Sequence, residues 1–211
     1  MESYLTLREG VEAVGEFEDR RSRFIAQLVH VSSEEEAAAH QAAVRARHFD
    51  ARHNVPAWIL ANGTERASDD GEPQRTSGLP TLEVLRGAGL RDVCCVTTRY
   101  FGGTLLGPGG LVRAYTAAAQ AAIAAAERDG QVVEMTNVLP VLLTVPYARY
   151  DQVRDLVVRT GGKIADTSYT DAVALSLVYK AGEERPFLDL LTERFANTLE
   201  PSVGEPRFAE F

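Results

Sequence analysis

The residues best placed to do chemistry lie in the stretch RYFGGTLLGPGGLVRAY, residues 99–115. An apolar run ends at Arg99, and Gly102, Gly103, Gly109 and Gly110, with Pro108, shape a loop. An alanine-rich helix then begins near Leu111, with Arg113 in its first turn. Backbone N–H groups at a helix start lack intrahelical acceptors and carry partial positive charge, so a glycine-rich lead-in can cradle an anion. Guanidinium groups suit phosphate or carboxylate, which makes Arg99, Gly102, Gly103, Gly109, Gly110 and Arg113 a candidate anion site. The spacing matches neither a Walker loop nor GxGxxG and therefore specifies no nucleotide. The bland alternative is a tight strand-to-helix turn whose glycines only supply backbone freedom.

A second candidate is the acidic loop SDDGEPQ, with Asp69, Asp70 and Glu72. Three close carboxylates could hold Mg²⁺ or supply a base, or could form an ordinary Asp-Gly turn. Both loops follow strands of the same domain, so they are expected to meet at one cleft and pair. His53-Asn54 lacks the partners a zinc site needs, and no metal or cofactor is expected. Trp58 reads as core.

The elements that must position these residues follow from pattern. Residues 17–31 read as one strand. Ser33 opens a helix through His48, with Glu36 completing a capping box and basic residues at its far end. VPAWILA is a buried strand, and NGTERASDDGEPQRTSG a loop. PTLEVLRG is a short helix with Pro in its first turn. RDVCCVTTRYF is a strand, GGTLLGPGG a loop, and residues 111–130 a helix whose alanines let it approach a sheet closely. QVVEMT closes this half as a strand. The second half reads β-α-β-β-α-β, the split βαβ or ferredoxin-like order. The expected division is 1–135 and 136–211, in an α+β fold.

Composition narrows the function. The 211 residues carry 30 acidic and 22 basic side chains, net −8, which argues against coating bulk nucleic acid or an anionic membrane but leaves room for one local basic site. Cys94 and Cys95 are adjacent on a strand and point to opposite faces, so an intrachain disulfide between them would be strained. A reducing compartment follows, and with no signal-like N-terminus or bilayer-length apolar run the expected location is cytoplasmic.

The stretches RSRFIA (21–26), SDDGEPQRTSGLPTLEVL (68–85) and RYFGGTLLGPGGLVRAYTAAA (99–119) resemble the IMPACT/YigZ family. Two departures stand out: Arg75 where the family usually has glycine, and Asn54 after His53 where it has a histidine–cysteine or similar pair. The resemblance implies an N-terminal βαβ domain like the fourth domain of elongation factor G and a C-terminal ferredoxin-like domain. Eukaryotic relatives act in translational control, competing for an activator of a stress-responsive kinase through an additional N-terminal domain. This shorter chain resembles the bacterial members. The reading is a non-catalytic binding protein linked to translation, touching structured RNA, the ribosome or a ribosome-associated protein. Its alternatives are a metal-assisted enzyme on a small phosphorylated or carboxylated substrate, and a pure protein-interaction module.

Overall fold

The computed structural model describes residues 2–211, which divide into two units, residues 4–133 and residues 134–211 with the first residues of the chain. The mixed α+β class expected from the sequence is what forms.

In the N-terminal unit, β1 (Tyr4–Leu7) runs beside Leu90, and Arg91 N donates to Leu5 O at 2.9 Å. Five further strands follow: β2 (Glu12–Asp19), β3 (Ser22–His30), β4 (His53–Ile59), β5 (Glu65–Ala67) and β6 (Val93–Tyr100). They form an antiparallel sheet in the order β2-β3-β6-β4-β5. Helix α1 (Glu34–Arg47) links β3 to β4, which flank β6 and run parallel to each other, a split βαβ unit. Helices α2 (Gly78–Gly87) and α3 (Gly107–Arg128) complete the unit.

Strand alternation divides the side chains of β6 between two cores. Val93 and Cys95 pack with Phe24, Leu85, Tyr115 and the alanines of α3, whereas Cys94 and Val96 pack with Ala37, Val44 and Trp58 on the α1 side. The two cysteines thus face opposite ways, and both are free thiols. Burial pushes the Cys95 thiol up to about 12.

The capping box of α1 forms with a one-residue shift. Ser33 Oγ accepts from Glu36 N at 3.2 Å, while the Glu36 carboxylate accepts from Ser32 N at 2.6 Å. The alanines of α3 do permit the close approach anticipated. Ala114, Ala118, Ala119, Ala122 and Ala126 are fully buried, and a Cβ on Gly15 of β2 would lie 2.0 Å from Ala122 N.

Three sequence expectations need correction. Residues 17–31 are not one strand, because the chain reverses at Arg20 and Arg21 (φ +46° and +67°) into the β2–β3 hairpin. Consecutive left-handed residues are the signature of a type I′ turn, here built without the usual Asn-Gly. The loop at 62–78 contains β5, an edge strand pairing Ala67 with Ala57. The sequence GPGG is no loop either, but the first turn of α3, with Pro108 near its start where a missing N–H costs nothing.

The C-terminal unit has β7 (Val132–Val145), a 3₁₀ turn (Tyr147–Arg149), α4 (Tyr150–Arg159), β8 (Lys163–Tyr169), β9 (Val173–Lys180), α5 (Arg185–Phe195), β10 (Ser202–Val203) and β11 (Arg207–Glu210). A fourth correction is that the two expected strands, QVVEMT and VLPVLLTVPY, merge into the single strand β7, which stops at Val145. It pairs with β9 on one side and with β10 and β11 on the other, while β8 pairs with β9. This is the ferredoxin-like strand order anticipated, around a core of Val141, Leu143, Val153, Leu156, Leu175, Leu177, Tyr179, Phe187 and Leu191.

Candidate anion-binding site

Arg99 stands at the end of β6, in register with Phe24 of β3 and His53 of β4. Alternation turns it toward the α3 side of the sheet, where its side chain is only 8% exposed. A buried guanidinium requires a counter-charge, and the acidic loop supplies it. Glu72, 2% exposed, accepts from Arg99 Nη1 at 2.8 and 2.9 Å, and Tyr115 of α3 donates its hydroxyl to the same carboxylate at 2.8 Å. Burial, then the charge and hydrogen bond of Glu72, hold the Tyr115 hydroxyl protonated well beyond its ordinary range. The Phe24 and Phe101 rings each lie 5.6 Å from the Arg99 guanidinium carbon. The acidic loop is therefore tied to the end of β6 and, through Tyr115, to α3 by one buried cluster.

The other two carboxylates hold the loop together. Asp69 accepts from Arg75 N (2.7 Å), Ser77 N (3.1 Å), Ser77 Oγ (2.8 Å) and Gly78 N (2.9 Å), and so caps the start of α2. Partial burial alone would raise its pKa, but these donors outweigh that and lower it. Asp70 accepts from Arg45 Nη2 at 2.6 Å and from Asn54 N at 2.7 Å, and its carbonyl accepts from His53 Nδ1 at 2.8 Å. Each carboxylate has separate protein donors, and among the described residues no three His, Cys, Asp or Glu side chains converge on a cation position. Asn54 is structural too: it is buried and accepts from Thr98 Oγ1 at 2.7 Å. Arg75 has φ +63°, the left-handed region that favours glycine, the residue expected there from the family resemblance.

The glycines have different tasks. Gly102 is a packing requirement, since a Cβ there would fall 2.1 Å from the Arg21 carbonyl carbon, and its N–H donates to Ser22 Oγ at 3.1 Å. Gly103 and Gly107 take φ +88° and +71°. Gly110 is buried and lets Leu106 fold against the helix start. The first-turn amides of α3 belong to Gly107, Gly109 and Gly110, and among the described residues no side chain caps them. Arg113 is exposed, and its guanidinium curls back toward this turn, with Nη1 3.8 Å from a Cβ position on Gly109 and Nη2 3.9 Å from one on Gly110. Of the two arginines paired in the sequence reading, Arg113 is the one at the helix start, and Arg99 lies inside against Glu72.

Sequence reasoning missed two features. One is a groove of about 700 Å³ between α2 and α3, with Leu79, Val84, Val112 and Ile123 among its walls and Thr116, Gln120 and Glu127 along one side. Both helices were expected from the sequence, but that they face each other was not. The other is a pocket of about 430 Å³ where β4 begins and β6 ends, which includes Arg52, His53, Arg99 and Phe101.

An N-terminal split-βαβ domain followed by a ferredoxin-like domain, with a buried ion pair joining a DDGEP loop to the strand end that precedes a glycine-rich helix start, defines a two-domain α+β class. Residues 20–123 match the Impact N-terminal domain, and residues 143–198 match a domain of unknown function, DUF1949. The chain is 35% identical over 191 residues to the IMPACT family member YigZ of Escherichia coli (strain K12), covering 89% of this chain and 91% of that protein. It is 44% identical over 117 residues to the IMPACT family member YvyE of Bacillus subtilis (strain 168), a match spanning 54% of this chain and 53% of that one. A crystal structure described as a hypothetical protein superposes with a TM-score of 0.59 at 32% identity, covering 97% of this chain and 98% of that chain. The chain belongs to the IMPACT family.

Proposed function

We propose that this chain is a non-catalytic binding protein linked to translational control, which touches phosphate groups of structured RNA or the ribosome through the start of α3. The observation that carries this reading is the uncapped first turn of a 22-residue helix with the exposed Arg113 guanidinium folded back beside it. Unpaired amides and a guanidinium together suit a phosphate oxygen. The link to translation comes from family membership, since the eukaryotic relatives act there. With a net charge of −8 the contact is local and modest, and added salt weakens it. Co-sedimentation with ribosomes tests the reading. Arg113→Ala and raised salt should each release the protein, whereas unchanged co-sedimentation in both would remove the helix start from the account.

The α2–α3 groove favours a second reading, a protein-interaction module. Its apolar walls could seat a partner's apolar side chains. A partner captured by pull-down and retained after nuclease treatment, but lost in Val112→Asp, would favour this reading over the first.

A further inference from the structure

The Arg99 guanidinium is only partly used. Both Glu72 oxygens accept from the same nitrogen, Nη1, at 2.8 and 2.9 Å. Among the described residues, Arg99 Nε is a buried side-chain nitrogen with no hydrogen-bond partner. A buried donor without an acceptor is costly, and native proteins rarely leave one so. The Nε–Nη2 edge of a guanidinium is a two-donor fork that matches the two oxygens of a carboxylate or phosphate. Glu72 engages the opposite end of the group, so this fork remains available.

Arg99 contributes to the 430 Å³ pocket, whose size lies within the range of small-molecule sites. Arg52, also on the pocket, is exposed and has no ion-pair partner among the described residues. His53 stands beside Arg99 in register and is oriented by its Nδ1 bond to Asp70 O, which leaves Nε2 for another contact. The acid on the pocket, Asp50, accepts from the Tyr100 hydroxyl at 3.1 Å. Phe101, 56% exposed and outside the buried core, lies with its ring centroid 5.6 Å from the Arg99 guanidinium carbon. The recess thus holds two guanidinium groups, Arg52 and the Glu72-paired Arg99, with Asp50 on the wall and Phe101 as an apolar cover.

We propose that this pocket binds a small oxyanion, a phosphate monoester or a carboxylate, held by the Nε–Nη2 edge of Arg99 and by Arg52, with Phe101 moving aside to admit it. This goes beyond the function proposed above: the ligand is a small molecule, and neither Arg113 nor the helix amides take part.

The test uses the full chain, with inorganic phosphate and succinate as separate probes in calorimetric and NMR titrations. At least one probe should bind, shifting the resonances of Arg52, His53 and Phe101, and which one binds more tightly distinguishes phosphate from carboxylate chemistry. Arg99→Lys keeps a cation beside Glu72 but removes the fork, and Arg52→Ala alters an exposed side chain. Each should weaken binding by about tenfold or more. Arg113→Ala should leave it unchanged, which separates this site from the helix start. If Arg99→Lys does not fold, Arg52→Ala and the shift pattern decide. No binding of either probe at millimolar concentration, or binding indifferent to both pocket substitutions, overturns the proposal.

Discussion

The ion pair between Arg99 and Glu72 should behave as a coupled unit, and its energetics can be worked from the geometry. Arg99→Met leaves the Glu72 carboxylate, 2% exposed, with the Tyr115 hydroxyl as its remaining side-chain donor. Glu72→Leu leaves a buried guanidinium without its counter-ion. Removing one member of a buried pair costs about 3–5 kcal/mol, because the other charge stays in a poor solvent. Replacing both by apolar groups removes both charges and strands only the Tyr115 hydroxyl, at about 1–3 kcal/mol. The double variant should therefore be more stable than either single variant, with a coupling energy of at least about 3 kcal/mol. Trp58, the single tryptophan, is buried at β4 within the N-terminal unit, so its fluorescence reports the unfolding of that unit in urea. A double variant that costs the sum of the two singles would refute the reasoning and show that each side chain is stabilised independently.

Three further outcomes follow from the packing and caps. Gly15→Ala should destabilise the N-terminal unit by about 1–3 kcal/mol in the same assay, because the new methyl meets the α3 backbone at Ala121 and Ala122, which cannot yield like a side chain. Arg75→Gly should stabilise by about 0.5–1 kcal/mol, the relief of a left-handed residue less the added freedom of the unfolded chain. The folded pKa of Asp69 lies below its ordinary value of 3.8, so its caps stabilise fully above that value and are lost as pH falls through the folded one. Acid titration of stability should thus be steeper in the native chain than in Asp69→Asn, and equal slopes would contradict the capping role.

Local signals in the sequence were reliable where the physics is local. Ser33 and Glu36 announce α1 because a cap is satisfied within one turn, and the alanines of α3 announce close packing because small side chains have few other uses. The ferredoxin-like order was legible because each element carries its own period. The β2–β3 turn was not, since Arg20 and Arg21 hold positive φ without glycine or asparagine. The continuity of β7 was hidden because Asn137 and Pro140, residue types that ordinarily mark a turn or interrupt a strand, lie within it. Glycine and proline at 107–110 resemble a loop by composition, although Pro108 near a helix start and small residues against Leu106 are consistent with helix. At the site, pairing of the acidic loop with an arginine flanking the glycine-rich loop could be anticipated from their charges. That Glu72 takes Arg99 inside while Arg113 stays exposed depends on which face of β6 is buried, and only the sheet's packing settles that.

An amide titration of the labelled chain with a short structured RNA tests the role of the α3 start most directly. The account predicts that the largest shifts fall on Gly107 and Gly109 and collapse in Arg113→Ala. Shifts confined to the α2–α3 groove, or none at all, would contradict it.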